Sequence, residues 1–217
     1  DGKDGFLMIG YDDIYSIEYM YEKRMGYWKH DGKVTIFDAF EKLRDNYQSI
    51  MERCRALDEL IYNDAEKAGG KKYAEICSAA YRQVISAHKL FTDKEGNLMW
   101  FSKENNSNGC INTVDLTYPS APLFLVYNPD LQKAMMTSIF EYSASGRWDK
   151  PFAAHDLGTY PIANGQVYGG DMPIEESGNM VILTAAISKI EGNADYAKKY
   201  WDILTTWTNY LVEYGQD

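Results

Sequence analysis

The sequence predicts a mainly α-helical fold in which αα-hairpins, of the kind found in α/α toroids and solenoids, alternate with long ordered loops and one short β-hairpin. Three observations lead to this prediction. Apolar residues recur at three- and four-residue steps over several long segments. Glycine turns separate neighbouring helical segments. The polar segments between the hairpins contain Gly, Pro and aromatic residues, which favours ordered loops over disordered ones.

The first αα-hairpin is predicted in the N-terminal half. Thr35 can cap a long helix that carries an amphipathic stripe and ends at Gly69-Gly70. A second helix is predicted from about Lys72 to Leu90, and two long helices joined by a short glycine turn make a hairpin. Upstream, residues 1–10 are interpreted as a strand or linker end, and the tyrosine-rich segment 11–28 as a short helix or turn.

In the second half of the chain, a predicted β-hairpin is followed by further predicted helices. Residues 91–101 place apolar flanks around a Lys-Glu-Gly-Asn turn, which indicates a short β-hairpin. Helices are then predicted from Thr113 or Asp115 to Tyr127, with Pro119 and Pro122 in the first turns, and from 129 to about 143 behind an Asn128 cap. A final helical hairpin is predicted over 175–190 and 195–214.

Composition and charge exclude several classes of function. The net charge of −10 disfavours binding to nucleic-acid phosphates, and the chain contains no apolar run long enough to span a membrane. The three cysteines, Cys54, Cys77 and Cys110, have no metal-ligand spacing and are not accompanied by a histidine cluster. We therefore expect neither a zinc site nor a cofactor, and the odd cysteine count leaves at least one thiol free.

The two ends of the sequence suggest a larger parent protein. The chain starts at Asp-Gly-Lys-Asp-Gly and stops just after a strong helical pattern, as if cut from a longer chain. We expect residues 1–30 to be a linker and aromatic segment leading in from an upstream region, and 31–217 to be the helical-hairpin domain. The remaining domains of the full-length chain are then its expected partners.

The loop from Ala153 into the helix beyond Glu176 is the first candidate functional segment. It holds His155, Asp156, Asp171, Glu175 and Glu176, and two carboxylates in different environments can supply the acid and the base of a hydrolysis reaction. Two simpler readings stay open. Glu175 and Glu176 can have a purely structural role, in which their negative charge is stabilised by the dipole at the helix N-terminus. His155 and Asp156 can likewise be a structural hydrogen-bonding pair. Neighbours on a helix diverge by about 100°, so at most one glutamate should face a given pocket.

The segment 102–120 is the second candidate, and we expect it to lie on the same rim of the fold. Its polar side chains suit a polyhydroxyl or amide substrate, although Asp115 can also be a plain helix cap in a solvated loop. A calcium site from Asp156, Asp171 and Glu175 is conceivable, but nothing in the sequence selects it, and no metal ligand is predicted. The Ser86-x-x-Lys89 pattern is too short to indicate acyl transfer.

Long strings of this sequence resemble the central region of glutaminase A-like proteins of fungi and gut-type Bacteroidetes. The matching strings are Ala80–Gln83, Phe101–Asn105, Thr113–Ser120, His155–Pro161 and Met172–Met180. The resemblance implies a larger protein that is secreted, periplasmic or displayed at the cell surface. It also implies a six-hairpin α/α toroid, of which this chain would hold an incomplete part.

The resemblance further implies hydrolysis of the L-glutamine amide to glutamate and ammonia. A glycoside hydrolase of α/α-toroid type and a non-catalytic fragment of a larger enzyme remain as alternatives, so the small-molecule substrate is glutamine or a sugar. The family does not supply catalytic residues that can be carried over, and the candidates rest on loop chemistry. The predicted catalytic residues are Asp115, Asp156, Glu175 and Glu176. The predicted substrate-binding residues are Lys103, Glu104, Asn105, Tyr118, His155, Tyr160, Asn164 and Asp171.

Overall fold

A computed structural model describes residue 5 and residues 7–216 of the chain. Its strands are Ile17–Tyr19 (β1), Glu22–Arg24 (β2), His88–Thr92 (β3), Leu98–Ser102 (β4) and Ile162–Ala163 (β5). Its helices are Ile36–Asp45 (α1), Tyr47–Gly69 (α2), Lys71–Ser86 (α3), Val114–Tyr127 (α4), Pro129–Ala144 (α5), Pro173–Glu191 (α6), Asp195–Lys199 (α7) and Trp201–Tyr214 (α8). The mainly helical class predicted from the sequence is confirmed.

The described residues form two compact units. One contains Met25–Ser86 with the described residues up to Tyr15, and the other contains Ser16–Arg24 and the chain from Ala87 onward. These units divide the chain at other points than the predicted segments 1–30 and 31–217. Across the described residues, no helix combines the length and apolar character that a membrane crossing requires.

The first unit is built on the predicted αα-hairpin of α2 and α3. Thr35 caps α1 as expected, because its side chain accepts the Asp38 N–H and the Asp38 carboxylate accepts the Thr35 N–H at 2.8 Å. The prediction of a single long helix from Thr35 is wrong, because the helix is interrupted at Asn46. The Asn46 side-chain amide donates to the Lys42 carbonyl at 2.9 Å and competes with the helical backbone there.

The strands correct two predictions about helix extent. The helix predicted to reach Leu90 ends at Ser86, because His88–Thr92 pairs antiparallel with Leu98–Ser102 in the predicted β-hairpin. Within 11–28, strands replace the predicted helix or turn, apart from a short 3-10 turn at Tyr27–Lys29. β1 pairs with both β2 and β5, and strands of two or three residues are too short to show a period in the sequence. Part of the strand or linker end predicted for 1–10 lies outside the described residues.

The helices of the second unit follow the predicted order. Asn128 caps α5 and Pro129 occupies its first turn, as predicted. Pro119 and Pro122 lie inside α4 and not in its first turns, so that expectation is wrong, and each removes one helical N–H donor. The last predicted helix is interrupted at Tyr200, which stacks on Phe140 in the core of this unit.

The two candidate loops run side by side, as expected. The Ile111 N–H donates to the Gly158 carbonyl at 2.8 Å, and the Leu157 N–H donates back to the Ile111 carbonyl at 3.0 Å. The Val114 N–H, at the start of α4, donates to the His155 carbonyl at 2.9 Å. These backbone bonds place the first turn of α4 directly beside the His155-Asp156 pair.

Candidate active site

Three side chains converge where the two loops meet the start of α6. His155 Nε2 lies 3.9 Å from Asp115 Oδ2 and 3.9 Å from Glu176 Oε1. Asp115 is in the first turn of α4 and Glu176 is in the first turn of α6. The Asp115 side chain keeps 31 % of its surface exposed, whereas Glu176 is fully buried. We call Asp115, His155 and Glu176 the three-residue cluster.

The His155 ring is held from its far side. Its Nδ1 lies 3.0 Å from Asp156 Oδ2, and its face stacks on Tyr168 with the ring centroids 4.2 Å apart. A carboxylate beside Nδ1 favours the tautomer that carries the proton on Nδ1. The Nε2 lone pair is then directed towards Asp115 and Glu176.

Asp156 is fixed by the backbone of its own loop. Its carboxylate accepts the N–H groups of Gly158 at 2.8 Å, Val167 at 3.0 Å and Tyr168 at 3.1 Å. The residue is fully buried. With these acceptor positions occupied, Asp156 is suited to orienting His155 and not to contacting a substrate.

Position 158 of this loop requires glycine. Gly158 has a φ of +136°, and a Cβ added there would lie 2.2 Å from the Ile162 carbonyl oxygen. The close approach lets the chain turn from Asp156 back towards β5 while the Gly158 N–H still reaches the Asp156 carboxylate.

Glu176 occupies an unusual electrostatic environment. Burial, with added repulsion from Asp115 and Glu175, raises its pKa to about 9, and the Asn179 side chain offsets only part of this rise. Among the described residues, neither Glu176 carboxylate oxygen has a hydrogen-bond partner of good geometry, and the same holds for the buried Oδ1 of Asp115. The three-residue cluster therefore contains buried carboxyl oxygens that lack a hydrogen-bond partner of good geometry among the described residues.

Glu104 extends the acidic character of this region. Burial and the nearby Asp115 and Asp156 carboxylates raise its pKa, while His155 and a 3.5 Å contact from Thr113 Oγ1 oppose that rise. Glu104 is half-buried on the segment that follows β4. It was predicted from the sequence as a substrate-binding residue, and the structure brings it near the cluster.

Some predicted site residues lie outside the three-residue cluster. Glu175 is exposed, so the expectation that neighbouring glutamates diverge is confirmed. Asn105 and Tyr118 are also exposed. Asn164 binds the strand region, where its side chain donates to Glu18 and accepts the Tyr21 N–H at 2.6 Å.

Other predicted residues form interactions of their own beside the cluster. Asp171 is paired with Lys150 and accepts a hydrogen bond from Gln166, and its pKa is lowered first by the Lys150 hydrogen bond. Lys103 Nζ lies 4.6 Å from the centre of the Tyr160 ring. Neither arrangement contributes a free group to the cluster.

Sequence reasoning missed two residues that support the site. Gln166 accepts the His155 N–H at 2.8 Å and donates to Asp171 at 2.7 Å, so it links the two ends of the loop. Tyr168 packs on the His155 ring. Both lie inside the predicted loop, but a single glutamine or tyrosine without spacing has no pattern that distinguishes it.

Among the described residues, this cluster is also a set of side chains that could hold a metal ion. Asp115, His155 and Glu176 each offer one donor atom, and these atoms all lie within 4.8 Å of one another. The calcium ligands considered from the sequence, Asp156, Asp171 and Glu175, do not form such a set, because Asp156 and Asp171 are engaged and Glu175 is exposed.

Comparison with known proteins gives the relationship of the chain. Residues 70–217 match the family model described as the glutaminase A six helical-hairpin domain. The chain belongs to this glutaminase A family. A second model, described as a domain of unknown function (DUF5127), matches residues 1–64. No solved structure matches.

Two curated fungal proteins are similar to this member of the glutaminase A family. Glutaminase A of Aspergillus oryzae is 39 % identical over 182 residues, which cover 82 % of this chain and 26 % of the relative. A probable glutaminase of Arthroderma benhamiae is 35 % identical over 160 residues, which cover 70 % of this chain and 18 % of the relative. The chain thus spans about a quarter or less of the length of these relatives.

Proposed function

We propose that this chain carries the water-activating part of an active site that hydrolyses the side-chain amide of L-glutamine to glutamate and ammonia. The observation that supports the proposal is the convergence of Asp115, His155 and Glu176 at 3.9 Å separations in a mostly buried site. The names of the two fungal relatives, a glutaminase A and a probable glutaminase, provide the substrate class.

The reaction sets clear demands on such a site. A water oxygen forms a bond to the amide carbon, the C–N bond breaks, and the proton from water leaves on ammonia. The site must hold the water, accept its proton and pass a proton to nitrogen. The three-residue cluster brings a ring nitrogen and carboxylate oxygens within 4.8 Å of one another, and Asp115 remains partly exposed to solvent.

The remaining residues take supporting roles in this proposal. Asp156 and Tyr168 keep the His155 ring in place, and Gln166 holds the His155 backbone. Glu104, half-buried beside the cluster, carries a carboxylate suited to the α-ammonium group of a free amino acid. The catalytic candidates therefore narrow to Asp115, His155 and Glu176, with Asp156 as a positioning residue.

Glycoside hydrolysis is the second candidate, because Asp115 and Glu176 form a pair of facing carboxylates. Their donor oxygens lie within 4.8 Å, which is shorter than the roughly 6.5–9.5 Å that inverting enzymes need and near the about 5 Å of retaining enzymes. Retaining chemistry would require one of the two carboxylates to attack the sugar. The buried position of Glu176 favours a small substrate over an oligosaccharide.

The test measures ammonia release from L-glutamine by the full-length protein, alongside a panel of aryl glycosides. We expect ammonia from the wild type and a loss of at least about 100-fold in kcat for Glu176→Gln or His155→Gln. Glu213→Gln, a matched change at an exposed glutamate, should retain wild-type activity. Sugar release without ammonia would replace this proposal by the second candidate, and activity in neither assay would reject both.

A further inference from the structure

We infer that Asp115, His155 and Glu176 bind a first-row transition-metal dication, for which Zn²⁺ and Mn²⁺ are the appropriate probes. The inference rests on the proposed function only for what the bound ion does, namely to hold the attacking water. Binding of the ion itself is an independent property of the cluster. It departs from the expectation, drawn from the sequence, that no metal is bound.

The donor atoms lie slightly farther apart than such an ion needs, so small movements would bring them to bonding distance. Zinc bonds of about 2.0–2.2 Å in tetrahedral geometry place two donors roughly 3.3–3.6 Å apart. His155 Nε2 is 3.9 Å from an oxygen of each of the two carboxylates, and all three donors lie within 4.8 Å. To bind one ion, the two carboxylate oxygens would each move about 0.3–0.6 Å closer to His155 Nε2, and the carboxylates would approach each other by up to about 1.5 Å.

No lysine or arginine among the described residues forms an ion pair with the cluster carboxylates. Glu176 is fully buried, and both its oxygens and the Oδ1 of Asp115 have no hydrogen-bond partner of good geometry among the described residues. A buried carboxylate without a partner is costly, and a dication at the centre of the cluster would compensate the negative charge of both carboxylates.

The nearby lysines are directed away from this position. Lys150 is paired with Asp171, and the ammonium of Lys103 lies over the Tyr160 ring. Neither forms an ion pair with Asp115 or Glu176 among the contacts of the described residues. The site thus combines excess negative charge with two carboxylates aimed at a common point.

The surroundings of His155 match those of a metal ligand. Histidines that bind metals usually donate their other ring N–H to a carboxylate, which fixes the ring and raises its basicity. Asp156 holds this place at 3.0 Å from Nδ1 and is itself fixed by three backbone N–H groups. The Nε2 lone pair is therefore aimed at the centre of the cluster before an ion arrives.

The donor set also selects the class of ion. One imidazole nitrogen with two carboxylate oxygens suits Zn²⁺ or Mn²⁺, whereas Ca²⁺ and Mg²⁺ prefer oxygen ligands alone. Three protein donors leave at least one coordination position open. A dication at this place lowers the pKa of a water bound there, which provides the nucleophile that the amide hydrolysis requires.

The test is metal binding by the full-length protein without substrate. After removal of metal with a chelator, Zn²⁺, Mn²⁺, Ca²⁺ and Mg²⁺ are titrated separately by calorimetry, and bound metal is counted by mass spectrometry. We expect Zn²⁺ or Mn²⁺ to bind, with one equivalent lost or at least about 100-fold weakened in His155→Gln and in Glu176→Gln. Asp156→Asn should weaken the same equivalent by about 10–100-fold, and Glu213→Gln should leave it unchanged.

The outcomes separate this inference from the proposed function. Equal stoichiometry and affinity in the wild type and in folded His155→Gln protein, checked by circular dichroism, would overturn the metal site. If a variant does not fold, a wild type that binds neither Zn²⁺ nor Mn²⁺ overturns it equally. Ammonia release that persists in metal-free protein would support the proposed glutaminase activity and show that it does not depend on the metal. If one equivalent of metal binds and is lost in the variants, but no ammonia is released, the metal site is supported and the glutaminase activity is contradicted.

Discussion

Glu176 Oε1 lies 3.9 Å from His155 Nε2, and Asp156 Oδ2 lies 3.0 Å from His155 Nδ1 on the other side of the ring. Glu176 is fully buried, while its chain neighbour Glu175 is exposed. This contrast makes the pair of glutamates a direct test of the candidate site.

The first prediction compares the two neighbours in the full-length protein. Glu176→Gln should lower kcat for glutamine by at least about 100-fold, because it removes a carboxyl group of the cluster that can exchange a proton during the reaction. Glu175→Gln should stay within a few-fold of the wild type, since its side chain faces solvent. Steady-state ammonia release measures both. Equal losses in the two variants, or a larger loss for Glu175→Gln, would remove Glu176 from the proposed machinery.

The second prediction concerns Asp156 as a positioning residue. Asp156→Asn keeps the shape of the side chain but replaces an acceptor with an amide, so the Nδ1 tautomer of His155 should no longer be favoured. Nitrogen NMR shifts of the His155 imidazole should show the proton moving from Nδ1 to Nε2. An unchanged tautomer in the folded variant would show that Asp156 does not orient the ring.

The third prediction concerns the stability of the loop. Gly158→Ala should destabilise the domain by several kcal/mol, because the new Cβ would clash with the Ile162 carbonyl and φ is +136°. Gly178→Ala in α6 is the matched control, as open space surrounds a Cβ there, and we expect about 0.5–1 kcal/mol of stabilisation. Thermal unfolding of both variants tests this, and a neutral Gly158→Ala would contradict the loop geometry.

The fourth prediction is a pH dependence at Glu141, which lies apart from the cluster and accepts a hydrogen bond from Tyr19 at 2.8 Å. Burial raises the pKa of Glu141, as do the Asp93 and Glu95 carboxylates, against the Tyr19 hydrogen bond and Lys199. A raised pKa in the folded state means that the contribution of Glu141 to stability is present at low pH. That contribution is lost as the pH rises through the folded pKa.

The measurement follows from that sign. Glu141→Gln, which stays neutral, should unfold at a higher temperature than the wild type at pH 8, and the difference should shrink towards pH 4. Melting curves of the two proteins across this range provide the test, with Glu213→Gln as the exposed control. A difference that grows as the pH falls would mean that the carboxylate is stabilised, and not penalised, in the folded state.

Local patterns predicted the helices well where the signal lies within a few neighbouring residues. The Thr35 cap, the Asn128-Pro129 start and the hairpin around Lys94–Gly96 depend on short-range backbone chemistry, and the structure contains each of them. The patterns failed at Asn46 and Tyr200, where one side chain interrupts a continuous amphipathic stripe. Local patterns also failed to predict β1 and β2. These strands depend on pairing, because β1 pairs with β2 on one side and with the distant β5 on the other.

For the site, the sequence by itself determined that two polar loops hold the candidate acids and that Glu175 and Glu176 must diverge, because helix geometry separates neighbours. Only the tertiary structure decided which glutamate turns inward and that Asp115, on another segment, meets it at His155. The backbone hydrogen bonds from Ile111 to Gly158 and from Val114 to His155 bring these two segments together. They join residues over 40 positions apart, and no local spacing records such a contact.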